Sequence, residues 1–303
     1  MIASFEDFCL WMYVLIDDLW PQVAPADPRP GPPPSCSDTE LLTMVLVGEC
    51  CGWEVETELV SQWGHHRDLF PVIPERSRFN RRRRNLLAAT NDLRRVVLAS
   101  FDLAYDRQCA IDSLPLPVMH FHLVPSSSAK ADWQAAGAAY GYVASKRQHI
   151  FGYKLHLLVT LGGVIRDFAL APANLTDLVV GEALLATHHD LDTLGDKAYV
   201  SRPVAELLLD EATVRLLTIP RRNQRDQTGA EHATLHGRLR AIIETVNDQL
   251  VAQFGIERNH AHTLWGLCAR LYSKLTAHTL CQWLLWQRGV ADWRCIKALA
   301  FPH

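Results

Sequence analysis

Three carboxylates of this 303-residue chain stand where an α/β protein could bring them together. Asp112 ends an apolar run that begins at residue 109, and Asp196 follows a second short β-type run. Side chains at the ends of such strands lie where α/β sheets bind their ligands. Glu244 belongs to a long helical pattern, off its apolar stripe and one turn after Arg240. The sequence therefore predicts two aspartates at strand ends and a glutamate on a helix.

Acids that meet in this way define a narrow range of chemistry. Like charges repel one another unless cations neutralise them, and hard oxygen ligands favour Mg²⁺ or Mn²⁺. Two such ions about 3.5 to 4 Å apart activate a water or a 3′-hydroxyl and stabilise the leaving oxygen of a phosphoryl transfer. A single aspartate at a strand end is more often a turn former or helix cap. The prediction therefore depends on all three acids together.

The N-terminal third is predicted to be helical, because strand signals are absent from residues 1–105. Residues 21–34 are rich in proline, which lacks an amide donor and fixes φ, and are interpreted as a stiff linker. Ser37 then begins an S-x-x-E capping box, which predicts a helix over residues 38–51. The apolar spacing in residues 74–103 is compatible with one long helix.

The remainder, residues 106–303, mixes β-type and helical patterns. The β-type runs are residues 109–112, 118–123, 153–161, 164–171, 191–194 and 214–219. The helical patterns are residues 176–187, 202–209, 235–254 and 264–286. Gly162 and Gly163 predict a tight hairpin, and the polar residues 221–233 are interpreted as a loop. This order predicts an α/β sheet layered with helices and ending in a helical tail.

Arginines are concentrated in one short stretch, although the formal net charge of the chain is −3. The eight are Arg76, Arg78, Arg81, Arg82, Arg83, Arg84, Arg94 and Arg95. Such clustering is the electrostatic footprint of phosphate binding, and the alternative is a solvated helix face. We favour a DNA contact, which by itself carries no base specificity.

Four ordered stretches resemble the transposases of bacterial insertion sequences that have a DDE triad. They are IDSLPLPV (111–118), GYVASKRQHIFGYKLHLLV (141–159), LGDKAYVS (194–201) and RAIIETVNDQLVAQFGIER (240–258). SRFNRRRRNL (77–86) fits one subgroup. The resemblance extends over residues 37–280. The sequence departs from the usual pattern at Ala198, where D-K-G-Y has glycine, and at Gly237 and Val251, where related groups carry tyrosine and lysine.

The resemblance implies a ribonuclease-H-like catalytic domain, a mixed sheet flanked by helices, in residues 106–303. Asp112 would lie on the first strand, Asp196 just after the fourth and Glu244 on the helix beyond, as a catalytic triad that binds two Mg²⁺ ions, with Mn²⁺ as an alternative. An all-helical region, residues 1–105, would bind the terminal inverted repeats. The implied reaction cleaves the element ends and joins their 3′-hydroxyls to target DNA, within a synaptic homodimer.

Basic residues of the matching stretches are candidate DNA contacts. Besides Arg81, Arg82, Arg83 and Arg84 these are Lys146, Arg147, Lys154, Lys197 and Arg240, with Arg258, Arg270 and Lys274 as further candidates. Lys154 and His156 project to the same face of a predicted strand, and a structural role for His156 is equally compatible. Arg240 could orient Glu244 as its helical i,i+4 neighbour.

Two other functions remain compatible with these patterns: a nuclease of the same fold that never joins strands, and a DNA-binding relic with an idle triad. The composition, 49% hydrophobic and 21% charged, is that of a folded protein. The apolar run at residues 8–20 is too short to span a membrane. Because the eight cysteines are scattered, we predict a cytoplasmic protein associated with the nucleoid and no membrane partner.

Overall fold

The computed structural model describes residue 2 and residues 4–26, 31–144, 146–218, 230–258 and 260–299. These residues form ten α-helices and six β-strands. The helices are α1 (Phe5–Val23), α2 (Asp38–Cys50), α3 (Glu56–Trp63), α4 (Arg76–Asn85), α5 (Leu87–Ala99), α6 (Lys130–Ala135), α7 (Asp177–Leu185), α8 (Arg202–Ala212), α9 (Ala230–Ala252) and α10 (Leu264–Gln287). The strands are β1 (Gln108–Pro117), β2 (Ala139–Val143), β3 (Gln148–Thr160), β4 (Ile165–Pro172), β5 (Asp192–Gly195) and β6 (Arg215–Thr218).

The chain divides into two compact units. The helical unit consists of Met1–Phe101, Gln249–Ile256 and His260–His303, and the sheet unit consists of Asp102–Asp248 and Glu257–Asn259. The first boundary lies close to the predicted one after residue 105. The C-terminal tail differs from the expectation, because α10 packs against α2 and α5 and is buried along most of its length. Its apolar residues therefore complete the core of the N-terminal helices.

The capping box of α2 is confirmed, whereas the linker begins later than predicted. The Ser37 hydroxyl accepts the Glu40 backbone N–H at 3.0 Å, and the Glu40 carboxylate accepts the Ser37 N–H at 2.6 Å. α1 continues to Val23, whose side chain is buried and holds the last turn in the helix. Of the predicted linker, residues 27–30 lie outside the described residues.

The single long helix predicted for residues 74–103 is wrong, because the chain breaks at Leu86. This residue has φ −87° and ψ 8° and separates α4 from α5. The side chains of Leu86 and Phe79 are both buried. The carbonyl oxygen of Leu86 accepts the N–H of Thr90, and this hydrogen bond belongs to the first turn of α5. Residues 74–103 therefore form two consecutive helices, which the apolar spacing alone did not distinguish from one helix.

The sheet is mixed, with the order β2-β3-β1-β5-β6 and with β4 paired to β3. β1 is antiparallel to β3 and parallel to β5, and β5 is parallel to β6. The predicted hairpin is confirmed, because β3 and β4 are antiparallel and the Gly163 N–H donates to Thr160 O at 2.8 Å. Gly163 has φ +84°, the left-handed conformation that glycine adopts without strain.

Two strand predictions need correction. Residues 118–123 form no strand; Phe121–Ser126 is a short 3₁₀-helix, and Phe121 and Leu123 are exposed instead of lying on a sheet face. β2 was not predicted, since its sequence AYGYV contains a central glycine, which weakens a strand signal. Most of residues 221–233, the predicted loop, lie outside the described residues. Within the described residues, no helix combines the length and apolar character that crossing a membrane requires.

Candidate active site

The register of two parallel strands places Asp112 and Asp196 side by side. The pairing of β1 with β5 ends at Ile111 and Gly195, and the two aspartates are the next residues along each strand. Asp196 follows its strand as predicted, although this strand is the fifth of the chain because β2 precedes it. Asp112 is not at a strand end: β1 continues to Pro117, held by its antiparallel pairing with β3.

Asp112 is partly buried and held at both carboxylate oxygens. Its Oδ1 accepts the Ser113 N–H at 2.8 Å, and its Oδ2 accepts the side-chain amide of Asn247 at 2.8 Å. Burial raises the pKa of Asp112 to about 6, and the nearby negative charges of Asp196 and Asp177 act in the same direction. The charged form of Asp112 is therefore costly in this structure, and a neighbouring cation would stabilise it.

Asp196 is exposed and fixed by its own turn. Its Oδ1 accepts the Ala198 N–H at 2.8 Å at the start of the 3₁₀-helix Lys197–Tyr199. The buried ring of Tyr199 lies against two glycines: a Cβ at Gly195 would be 2.8 Å from its Cβ, and one at Gly181 2.5 Å from its Cε1. Ala198 is not among the residues with positive φ, so alanine fits where the usual motif has glycine.

Glu244 does not join the two aspartates in this structure. Its side chain is 58% exposed and forms an ion pair with Arg240 at 2.9 Å. Among the described residues, no group of three histidines, cysteines, aspartates or glutamates is placed to hold a metal ion. α9 nevertheless reaches the site, because Asn247, one turn after Glu244, contacts Asp112. The pKa of Arg240 is raised chiefly by its hydrogen bond to Glu244, and also by the charges of Asp112 and Asp196.

The donor atoms around Asp112 fit a divalent cation. Asp112 and Asp196 supply carboxylate oxygens, and the buried Oδ1 of Asn247 has no hydrogen-bond partner within the described part of the chain. Carboxylate and amide oxygens are the ligands that Mg²⁺ and Mn²⁺ prefer. A bound ion would offset the repulsion between the aspartates and give the amide oxygen a partner.

Two strand residues near the site, Lys154 and His156, make hydrogen bonds inside the sheet unit. Lys154 donates to the Asp177 carboxylate at 2.8 Å and to Leu175 O at 3.2 Å. His156 is fully buried, with Nδ1 3.3 Å from the Tyr199 hydroxyl oxygen. Burial, helped by the positive charge of Lys154, lowers the pKa of His156 to about 4. His156 is therefore a neutral core residue that cannot reach a phosphate.

The other basic candidates of the sheet unit, Lys146, Arg147 and Lys197, are all exposed. Lys197 is exposed directly beside Asp196. Arg147 is exposed in the turn between β2 and β3, whereas its neighbour Lys146 binds the Glu257 carboxylate at 2.6 Å. Arg147 and Lys197 thus have their side chains open to solvent, as a DNA contact requires.

Several arginines predicted to bind DNA are engaged inside the helical unit. Arg83 is buried against Glu49, because position 83 lies one turn after the buried Phe79 on the same face of α4. Arg82 pairs with Asp38 at 2.6 Å, and the Arg84 guanidinium lies 5.2 Å from the ring centroid of Trp265.

Two further candidates are also internal. Lys274 is buried and binds Glu49 at 2.6 Å. Arg270 donates to Glu54 O at 2.8 Å and lies 3.5 Å from the Glu56 carboxylate. The assignments of Arg83, Lys274 and Arg270 as DNA contacts are therefore corrected: Arg83 and Lys274 pair with the buried Glu49, and Arg270 is engaged by Glu54 and Glu56. The exposed arginines of α4 are Arg76, Arg78 and Arg81.

Sequence reasoning did not single out Asn247, Asp177 or Tyr199. Asn247 is uncharged, but its position three residues after Glu244 places it on the same helix face, which is a usable signal. Asp177 begins α7 and binds Lys154, a pairing between elements that no local pattern reveals. Tyr199 lies within the matching stretch LGDKAYVS, and its place directly after the Asp196 motif is a usable signal.

The comparisons with known proteins identify a family for the chain. The family model described as "Transposase DDE domain" matches residues 105–280. Neither the curated proteins nor the solved structures contain a match to the chain. The mixed sheet with its flanking helices fits a ribonuclease-H-like DDE domain. Because the matched region covers more than half of the residues, the chain belongs to the family of transposase DDE domains.

Proposed function

We propose that this transposase cleaves the ends of its own insertion element and joins the 3′-hydroxyls to target DNA at a site formed by Asp112, Asp196 and Glu244. The observation that carries the proposal is the register of β1 and β5, which ends at the residues just before the two aspartates, near an Asn247 amide oxygen that has no hydrogen-bond partner among the described residues. This arrangement lies within the region that matches the transposase family.

DDE transposase domains generally use divalent metals, and a pair of Mg²⁺ or Mn²⁺ ions would supply an activated oxygen nucleophile and a stabilised leaving group. Asp112 and Asp196 would hold these ions. Asn247 orients Asp112 through its hydrogen bond. Glu244 is the third proposed ligand, and to act it must exchange its present ion pair with Arg240. Arg240 would then be free to face the DNA phosphate.

DNA binding is assigned to the exposed cations. In the helical unit these are Arg76, Arg78 and Arg81, which would contact the phosphates of the terminal repeats. In the sheet unit Arg147 and Lys197 would contact DNA near the cleaved strand. We further propose a homodimer in the synaptic complex, since two element ends must be handled together, and a cytoplasmic location at the nucleoid.

The decisive experiment incubates the purified chain with labelled duplexes that carry the inverted repeats flanking its gene, with and without Mg²⁺. We expect cleavage at the repeat end and joining to a target plasmid. Asp112→Asn and Asp196→Asn should each abolish both products. Asp210→Asn, a change at an exposed aspartate of α8, is the matched control and should leave them intact.

The products separate the competing functions. Cleavage without joined product would favour a nuclease, and binding without cleavage would favour an inactive DNA-binding protein. Metal-dependent cleavage that survives Asp112→Asn would show that the active site lies elsewhere. For the DNA contacts, the binding constant of each variant is measured at several salt concentrations. Arg81→Ala should reduce the slope of log binding constant against log salt concentration by about 1, the amount expected for one lost phosphate contact.

A further inference from the structure

An edge of the sheet in the sheet unit exposes a group of aromatic rings that the proposed reaction does not use. Tyr140 and Tyr142 of β2 are 42% and 51% exposed, and Phe121 is 42% exposed. His149, the cross-strand partner of Tyr142, is also exposed. β2 lies at one end of the sheet order and pairs with β3. We call Phe121, Tyr140, Tyr142 and His149 the aromatic edge.

The rings of the aromatic edge form one continuous surface. Tyr142 and His149 have centroids 4.9 Å apart, His149 and Phe121 5.7 Å, and Phe121 and Tyr140 5.8 Å. Tyr140 and Tyr142 are two residues apart on one strand and therefore point to the same face. Phe121, Tyr140 and Tyr142 keep 42% to 51% of their surface exposed, which leaves ring area on which planar groups can stack.

The backbone under the aromatic edge is held firmly. Gly141 lies between the two tyrosines, and a Cβ there would overlap the carbonyl group of Ala173. This close approach, together with five paired positions between β2 and β3, fixes the tyrosines on the outer face. A rigid set of rings loses little conformational entropy when a ligand binds.

Cations accompany the rings. The Lys130 ammonium lies 5.5 Å from the Tyr140 ring centroid. Arg147 is exposed in the turn that joins β2 to β3, next to the Tyr142–His149 pair. Exposed rings interleaved with positive charge match a ligand that has flat bases and a negatively charged backbone. A purely apolar protein partner would gain nothing from these charges.

We infer that the aromatic edge binds unpaired DNA, with bases stacked on Tyr140, Tyr142 and Phe121 and phosphates near Lys130 and Arg147. The inference rests on the proposed function, because that function makes DNA the substrate. It adds a second DNA-contact surface to the catalytic site. Asp112 is opposite Leu157 on β3, and His149 lies eight residues earlier on that strand, about 26 Å at 3.3 Å per residue. The aromatic edge is thus separate from the catalytic acids.

The test measures binding of a single-stranded oligo(dT) 15-mer with a central 2-aminopurine to the full chain, in EDTA so that nothing is cleaved. Stacking quenches the fluorescence of the modified base. We expect Tyr140→Ala and Tyr142→Ala each to weaken binding about tenfold and to reduce the quenching. Tyr142→Phe should bind as wild type does, because stacking needs the ring and not the hydroxyl.

Tyr105→Ala is the matched control, since Tyr105 is an exposed tyrosine of the same unit outside the aromatic edge. Its binding should be unchanged. The inference would be overturned if both alanine variants bound the oligonucleotide with wild-type affinity. It would also be overturned if the wild-type chain did not bind the oligonucleotide at all. A dimer that becomes monomeric in Tyr142→Ala, with oligonucleotide binding intact, would identify the surface as a contact between copies and would also overturn it.

The inference and the proposed function fail separately. Asp112→Asn should bind the oligonucleotide normally while losing cleavage. If wild type cleaves element ends but does not bind the oligonucleotide, only the aromatic edge is misassigned. If it binds the oligonucleotide through the tyrosines but never cleaves an element end, the binding surface stands and the catalytic proposal falls.

Discussion

The side-chain amide of Asn247 donates a hydrogen bond to Asp112 Oδ2 at 2.8 Å, across 135 residues of sequence. This contact attaches α9 to the central strand at the position where β1 and β5 separate. The other amide atom, Oδ1, is buried and has no hydrogen-bond partner among the described residues. Asn247 therefore orients the Asp112 carboxylate through its amide nitrogen, and its amide oxygen is available to a further donor or cation.

Asn247→Ala should weaken metal-dependent cleavage by about 10- to 100-fold, the usual cost of losing an outer partner of a metal ligand. The loss should appear as a higher Mg²⁺ concentration for half-maximal rate, because Asp112 would no longer be oriented. A Mg²⁺ titration of the cleavage rate measures this. Asp248→Ala, at the exposed neighbouring position, serves as control. Equal Mg²⁺ dependence in both variants would contradict the assigned role.

Asp112→Asn should stabilise the metal-free fold at neutral pH. Burial raises the pKa of Asp112 to about 6 from an ordinary value of 3.8, so the folded state binds this proton more tightly than the unfolded state. The wild-type fold therefore loses stability as pH rises from about 4 to 6, and the deficit persists above pH 6. Asparagine does not titrate, and the Asn247 amide can rotate to accept from it.

We expect the variant to exceed wild type by about 1–3 kcal/mol in free energy of unfolding at pH 8, and by close to zero near pH 3.5. Urea unfolding in EDTA at several pH values measures the difference. Added Mg²⁺ should stabilise wild type more than the variant. A variant that is less stable than wild type at pH 8 would show that Asp112 is not destabilising in the folded state.

Glu49→Gln should destabilise the helical unit strongly. Burial acts to raise the pKa of Glu49, but the charges of Lys274 and Arg83 outweigh it and hold the pKa below its usual range. Removing the carboxylate leaves two cations buried without their partner, at a cost of about 3–5 kcal/mol. Because the folded pKa is lowered, the wild-type advantage is present above about pH 4.3 and disappears as pH falls through the folded pKa.

Asp92→Asn is the control for this prediction. Asp92 pairs with Arg95 at 4.0 Å, and both side chains are more than half exposed, so the expected cost is below about 1 kcal/mol. Urea unfolding at pH 7 and pH 4 measures both variants. Similar losses for the buried and exposed acids would refute the argument from desolvation.

Gly181→Ala should displace Tyr199 and with it the turn that holds Asp196. The added Cβ would be 2.5 Å from Tyr199 Cε1, and overpacking of this kind costs about 1–3 kcal/mol. The thermal midpoint should fall, and cleavage should fall further than the folded fraction does. Gly237→Ala, where no atom of the described residues beyond its own helix turn lies within 4 Å of the new Cβ, should be neutral or slightly stabilising. A neutral Gly181→Ala would mean that the Tyr199 ring is not confined.

Local chemistry determined much of this protein before any fold was known. The Ser37–Glu40 capping box, the Gly162–Gly163 hairpin and most helices need only neighbouring residues, because caps, turns and helical spacing act over a few positions. The order of motifs identified the three acids and the family resemblance. Asp112 and Asp196 were predicted to lie together, and the pairing of β1 with β5 ends at the residues that precede them, Ile111 and Gly195.

Tertiary structure decided what each charged group does. The burial of Arg83 against Glu49, the binding of Lys154 to Asp177 and the contact of Asn247 with Asp112 all join residues that are distant in sequence. Composition shows only that charges are present, whereas desolvation and pairing depend on which elements pack together. The sequence thus named the candidate residues, and only the packed chain separated exposed cations from internal ones and gave Asp112 its neighbours.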